Sequence, residues 1–207
     1  MVADIGLFIL RLTLGSLMAG HGTQKLLGWW KGPGLTGTHG MMEHLGMRPG
    51  KVWGTLVAVG ETSGGLLTML GFLSPLGPLN IMSSMIVAIR RVHWKTPVWA
   101  SEGGAELAGT NLAAATVLLL AGPGRYSLDS ILGIRMPRWL TALFCLNIGA
   151  ITTIALRRPD VAVTVVEKAT SFVPSSLQPT SSPHVVMETR PAAADMQTTP
   201  ARSEVEV

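Results

Sequence analysis

The chain is poor in charged residues and contains a single cysteine. Charged residues make up 14% of its 207 positions, whereas soluble proteins carry about 25%. The lone Cys145 excludes an internal disulfide and a CxxC dithiol site, so redox chemistry would need a bound cofactor, a partner or Cys145 acting alone. The sequence also lacks a Walker loop, a dinucleotide fingerprint, a nucleophile elbow and a haem-attachment motif.

The basic residues form no single patch, although the formal net charge is +4 and the isoelectric point is near 9.7. Most Lys and Arg residues flank apolar segments, which is the distribution that membrane proteins show. Hydrophobic residues make up 47% of the chain and the mean hydropathy is +0.40. We therefore expect the lipid bilayer as a partner and no nucleic acid.

Five apolar runs approach the roughly 20 residues that a helix needs to cross the hydrocarbon core. They cover residues 4–27, 52–72, 76–94, 103–121 and 137–156. Because backbone amides in lipid must be bonded internally, each run is predicted to be a helix. The link over 29–50 is predicted to be a long, flexible loop, and Pro, Ser, Thr and Ala dominate after Pro159.

The fold class predicted from these runs is all-α, a transmembrane helical bundle of four core helices plus a fifth. The four core helices lie in residues 1–134, and the fifth transmembrane helix lies in 135–158. Residues 159–207 form a disordered polar C-terminal tail, because their composition cannot bury enough apolar surface to fold. The basic flanks place the ends near Lys25 and Arg90 in the cytoplasm.

Ionisable side chains inside the predicted helices indicate a candidate site, because each costs several kcal/mol in lipid unless it has a partner or water. The helical repeat places Arg11, His21 and Lys25 on one stripe of the first helix. With helices of alternating direction, most of these groups lie toward the cytoplasmic end. The predicted polar cluster comprises His21, Lys25, Glu61 and Glu106, with Arg11 behind it and His93 at its rim.

Two interpretations of this cluster stay open at the level of residues. The groups neutralise one another and fix helix packing, or they bind a small anion or a polar headgroup while His21 or Glu61 moves protons. Arg90 and Arg91 have a third role available, which is to reach lipid phosphates at the membrane surface. No metal site is expected, since the spacing of His39 and His44 in the loop matches no ligand signature.

Several of these residues, taken in order, resemble the DoxX family of membrane proteins over about residues 5–134. The loop Gly32-Pro33-Gly34-Leu35-x-Gly37 is similar to that of the actinobacterial branch. The matching motifs are Arg11…His21-Gly22-x-x-Lys25-Leu26, Glu61 with Gly64-Gly65, Val92-His93, Glu106, and Gly122-Pro123-Gly124-Arg125-Tyr126-Ser127-Leu128-Asp129.

The resemblance implies a multi-pass protein of the bacterial plasma membrane, similar to the small membrane subunit of thiosulfate:quinone oxidoreductase. It implies a membrane subunit of a redox complex that transfers electrons from thiosulfate or a thiol to quinone, with no intrinsic cofactor. His21 and Glu61 would then be catalytic, while Arg11, Lys25, His93 and Glu106 would bind substrate or quinone.

The partners implied are other redox proteins or further copies of the chain. The alternative function is a non-catalytic anchor or scaffold that recruits soluble oxidative-stress enzymes. Transport of a small solute is a third hypothesis, for which several copies would have to build the path.

Overall fold

The computed structural model describes residues 1–160 together with residues 162, 164 and 168. Those residues belong to a compact unit, Met1–Phe172, and the second unit, Val173–Val207, lies outside the described residues. Within residues 1–160 the structure is helical and contains no strand, so the all-α fold class is confirmed. The α-helices are α1 (Val2–Leu27), α2 (Gly34–His44), α3 (Gly50–Leu70), α4 (Leu76–Arg91), α5 (Glu106–Ala121), α6 (Leu128–Leu132) and α7 (Arg138–Arg157).

Helices α1 and α3 pack backbone against backbone through small residues. A Cβ atom added at Gly22 would overlap the backbone of Thr62, and one added at Gly65 would overlap the backbone of Ala19. Gly15 is equally restricted. Glycine at such positions lets helices approach more closely than any larger side chain allows. This close approach brings the last turns of α1 beside the middle of α3.

The apolar core lies between α1, α4 and α5. Its fully buried side chains include Met18, Ile81 and Leu118, and Ala115 is also inaccessible. Small and large side chains alternate there, which fills the space between helices without polar atoms. Many other large apolar side chains are exposed, among them Ile9 on α1, as expected of helices that face lipid.

The segment over 29–50 differs from the predicted flexible loop, because it contains α2. Thr38 and Met42 of this helix are buried, and Met47, just beyond it, is also buried against Trp53. The Thr38 hydroxyl donates to the carbonyl oxygen of Lys25 at 3.2 Å. The methionines therefore form a small second core with α3, a role in which the unbranched thioether fits irregular gaps.

Helix α7 lies where the fifth apolar run predicts a helix, and it is attached to the rest of the chain near its C-terminal end. The Arg91 guanidinium donates to the carbonyl oxygens of Ala155 at 2.8 Å and Leu156 at 2.9 Å. The Trp53 indole donates to the carbonyl oxygen of Pro159 at 2.8 Å. Order thus extends past residue 158, and most of the tail predicted over 159–207 lies outside the described residues.

In the described part of the chain, two helices are long and apolar enough to cross a membrane, namely α1 and α7. Helix α5 is apolar but has 16 residues. Helix α4 also has 16 residues, which corresponds to about 24 Å against a hydrocarbon core of about 30 Å. The bundle of four membrane-crossing core helices therefore stays a prediction.

Candidate functional site

The last turn of α1 and the middle of α3 are joined by an ion pair. The Lys25 ammonium nitrogen lies 2.6 Å from Oε1 and 2.5 Å from Oε2 of Glu61. The Glu61 side chain is 5% exposed and that of Lys25 is 24% exposed. Because the carboxylate accepts both contacts, the pair is bidentate, which is the geometry that best compensates the loss of water around a buried charge.

The ion pair lies in the wall of a cavity of about 160 Å³. His21 and His93 line the same cavity, so four of the six predicted site residues share one space. The remaining wall is formed by Met18, Met85, Ala88, Leu107, Ala108 and Asn111. Apolar walls with a few converging polar groups are typical of small-molecule sites.

The two histidines differ in what holds their rings. His93, just after α4, has Nδ1 at 2.6 Å from the carbonyl oxygen of Gly103. A carbonyl oxygen only accepts, so Nδ1 carries the proton, and Nε2 of the neutral ring is left as a base. His21 is exposed, and its Nδ1 lies 3.3 Å from the amide oxygen of Gln24 on the next turn. The His21 residue is therefore exposed to water, and His93 is half-buried.

Glu106 lies outside this cavity, although the sequence predicts it in the cluster. Its Oε2 accepts a hydrogen bond from the backbone amide of Ala100 at 2.9 Å, and the residue is exposed. The loop before α5 folds back over the helix start, since the Glu106 amide donates to the carbonyl oxygen of Val98 at 2.9 Å. The carboxylate thereby organises the loop that carries Gly103, the partner of His93.

Arg11 points away from Glu61, although the sequence predicts it directly behind the polar cluster. Its guanidinium donates to the carbonyl oxygen of Tyr126 at the opposite end of the bundle and lies 5.8 Å from the ring centroid of Phe8. The side chain is 2% exposed. Helices α1 and α3 run antiparallel, so Arg11 lies beside Gly71 at the end of α3. The ten residues from Glu61 to Gly71 separate the two side chains by about 15 Å along the helix.

The Arg11 region is built on the glycine-rich motif after α5. The Asp129 carboxylate accepts from the backbone amides of Leu73 and Ser74, both at 2.8 Å. The Ser127 hydroxyl accepts from the amide of Ser130 at 3.2 Å and caps α6, as Ser does at helix starts. This motif therefore closes the end of the bundle remote from the Lys25–Glu61 pair.

One further cavity adjoins the ion pair, and a larger groove lies next to that cavity. A cavity of about 70 Å³ is lined by Lys25, Glu61 and Ser84. Ser84 also lines a groove of about 380 Å³ between α3, α4 and α7. The groove wall is mostly apolar, with polar groups from Ser63, Asn80, Ser83, Ser84 and Thr152. Glu61 thus lines the cavity of the histidines on one side and, on the other, a space next to the groove.

Sequence reasoning did not identify Ser84 or Asn111 as site residues. The Asn111 amide donates to the Met18 sulfur at 3.7 Å and lines the histidine cavity. An amide inside the apolar run of α5 is the signal that would have indicated it, since polar groups within such helices are costly without a function or partner. Ser84 gives no comparable signal, because serines are common in membrane helices.

Within the described part of the chain, no group of three or more His, Cys, Asp and Glu side chains is placed to hold a metal ion. The described polar groups around Lys25 and in the groove are hydrogen-bond donors and acceptors of the type that bind organic carbonyls or anions.

Comparisons with known proteins give a family and no individual relative. A comparison with curated proteins finds no match, and a comparison with solved structures finds none. The DoxX family model matches residues 6–94, which hold most of α1, all of α2, α3 and α4, and His93. Residues 6–94 therefore form a DoxX domain, and this domain together with the long apolar helices indicates that the chain is a membrane protein.

Proposed function

We propose that this chain is the membrane subunit of a redox complex that transfers electrons from thiosulfate or a thiol to a membrane quinone. The observation that carries the proposal is the position of the Lys25–Glu61 pair. On one side of the pair is the cavity lined by His21 and His93. On the other side is the small cavity that shares Ser84 with the groove between α3, α4 and α7. Such a pair is suited to transfer protons between water and a site in the membrane.

The groove has the size and composition that a quinone ring requires. Its volume of about 380 Å³ lies within the range of small-molecule pockets. Val57, Val87 and Ile151 provide apolar surface, while Asn80 and Ser84 provide donors suited to ring carbonyls. The site therefore fits a flat apolar ring with polar groups at its edges, and quinone would be the substrate there.

Reduction of a quinone takes up two electrons and two protons and forms two O–H bonds. Oxidation of two thiosulfates to tetrathionate, or of two thiols to a disulfide, supplies the two electrons. We assign their transfer to a partner subunit. In the proposal, protons enter at His21 and His93 and pass to the Glu61 carboxylate, which releases the Lys25 ammonium when it is protonated. From Glu61 the protons reach the groove beside Ser84.

The proposed topology is multi-pass in the bacterial cell membrane, with α1, α3, α4, α5 and α7 crossing. Exposed tryptophans at both ends support it: Trp29 and Trp94 follow α1 and α4, and Trp139 lies in the first turn of α7. Indole rings concentrate at membrane–water interfaces. The end that carries Lys25 and Arg90 would face the cytoplasm, because Lys and Arg are more numerous in the segments at that end than at the other.

The test is donor-dependent quinone reduction in membranes that contain the chain with its partner subunits. Glu61→Gln removes the titrating carboxylate and keeps the side-chain shape, so turnover should fall by about 100-fold or more. The matched control is Glu43→Gln, at an exposed position of α2, which should retain turnover. No reduction by the wild type with thiosulfate or thiols would contradict the redox function, and full activity of Glu61→Gln would contradict this site.

A membrane anchor or scaffold for soluble oxidative-stress enzymes is the second candidate function. The segment after the matched domain favours it, because α7 and the Pro-, Ser- and Thr-rich residues that follow lie outside residues 6–94. Deletion of 173–207 keeps the described residues intact. If the chain is a scaffold, this deletion releases co-purifying enzymes, whereas Glu61→Gln retains them.

A further inference from the structure

A second groove, separate from the candidate redox site, lies between α4, α5 and α7 at the end of the bundle that carries Lys25. It encloses about 510 Å³. One part of its wall is apolar and the other part carries two arginines and an indole. Its lining residues are Ile86, Ile89, Leu112, Leu156, Arg90, Trp94 and Arg157. None of them lines the cavity of Lys25 and Glu61 or the groove assigned to quinone.

The two arginines of this groove are available for an external anion. Arg91, the neighbour of Arg90, is engaged with the carbonyl oxygens at the end of α7. By contrast, among the described residues neither Arg90 nor Arg157 has a hydrogen-bond acceptor or a carboxylate partner. The Arg90 guanidinium lies 5.0 Å from the ring centroid of Trp94, a contact that restrains its position but leaves its charge uncompensated.

We propose that this groove binds an anionic phospholipid. The phosphate would lie between Arg90 and Arg157, since a guanidinium offers paired N–H donors that match phosphate oxygens. The acyl chains would lie along Ile86, Ile89 and Leu112, and the Trp94 indole would lie at headgroup level. Basic pockets between helices at the cytoplasmic membrane surface have the charge that such headgroups require.

The apolar wall distinguishes a phospholipid from free phosphate. A small inorganic anion would contact the two arginines but leave Ile86 and Leu112 uncovered, with no gain from apolar burial. A zwitterionic lipid would cover that wall but place a second, positive charge near the arginines. An anionic lipid satisfies both parts of the groove, and the site is independent of the proposed redox chemistry.

The experiment uses the purified full chain in detergent, titrated with dioleoylphosphatidylglycerol or dioleoylphosphatidylcholine and observed by native mass spectrometry. We expect selective retention of phosphatidylglycerol. In Arg90→Gln/Arg157→Gln its affinity should fall roughly 30-fold, from about 1 kcal/mol for each lost charge. The control is Lys95→Gln/Arg158→Gln, which removes equal charge from exposed positions outside the groove and should change affinity little.

A substitution that fills the groove with a larger apolar side chain tests the site without changing its charge. Ile86→Trp, at an exposed position of α4, should weaken phosphatidylglycerol binding while both arginines remain. Equal losses in the two double variants would contradict the proposal, because they would indicate attraction by overall charge. Wild-type affinity of the Ile86→Trp variant for phosphatidylglycerol would also contradict the proposal. Displacement of the bound lipid by inorganic phosphate would contradict it as well, because the two arginines would then bind phosphate without the apolar wall.

Discussion

At the scale of single residues, burial of Glu61 requires a neutralising group, because an isolated carboxylate loses several kcal/mol when it leaves water. Lys25 provides that group across the α1–α3 contact. The two partners are not equally buried, since Lys25 is 24% exposed and Glu61 is 5% exposed. Removal of the lysine and removal of the glutamate should therefore lower the free energy of unfolding by different amounts.

Lys25→Met should lower the free energy of unfolding by about 3 kcal/mol, because it leaves the buried Glu61 carboxylate without a cation. Glu61→Leu should cost less, about 1 kcal/mol, because the lysine stem can extend its ammonium to water. Lys25→Met/Glu61→Leu should recover most of the loss. Denaturant unfolding in detergent measures all three, and additive losses in the double variant would contradict a paired interaction.

Asp129 is a structural carboxylate at the opposite end of the bundle. Asp129→Ala removes the acceptor of the Leu73 and Ser74 amides, so we expect a loss of about 2–4 kcal/mol. Asp129→Asn keeps one acceptor oxygen and should lose about half as much. Thermal unfolding checks this series, with exposed Asp160→Ala as the control that should leave the midpoint unchanged. An equal shift in the control would argue against the assigned role.

At the scale of helices, the close contact of α1 and α3 positions Lys25 beside Glu61. Gly65→Ala places a methyl group against the backbone of Ala19 and Gly15, so the helices must separate. This separation should lower the free energy of unfolding by about 1–3 kcal/mol. Gly60→Ala on the same helix meets nothing within 4 Å and should cost nothing. Unfolding in detergent compares the two variants, and equal stabilities would contradict a rigid α1–α3 contact.

The helices with the longest apolar runs were the most predictable from sequence, because hydropathy marks α1 and α7 directly. Helix α2 was missed because its glycines and histidines suggest a loop, whereas burial of Thr38 and Met42 stabilises it through tertiary contacts. In the candidate site, Lys25 and His21, which the helical repeat places on one stripe of α1, line the same cavity. Arg11 instead bonds to the carbonyl oxygen of Tyr126, which is 115 residues away, and no local sequence pattern indicates that contact.

At the scale of the whole molecule, the proposed topology places Lys95 and Arg125 on opposite sides of the membrane. In a Cys145→Ser background, Arg125→Cys should react with an impermeant maleimide in intact cells. Lys95→Cys should react only after the membrane is permeabilised. Mass shifts of the labelled chains report both results. Reaction of both cysteines from the same side would show that α5, the α-helix between them, does not cross the membrane.

Most of the hydrogen bonds that attach α7 to the DoxX domain end on backbone carbonyl oxygens, those of Ala155, Leu156 and Pro159, while one joins the hydroxyls of Ser83 and Thr152 at 2.6 Å. Every amino acid supplies such an oxygen, so this attachment constrains the path of the chain much more than its side chains. Evolution could therefore exchange the residues of α7, or join a different C-terminal segment to this domain, without rebuilding the contact. Arg91 and Trp53 would therefore hold a C-terminal helix of many different sequences, provided that its backbone follows the same path.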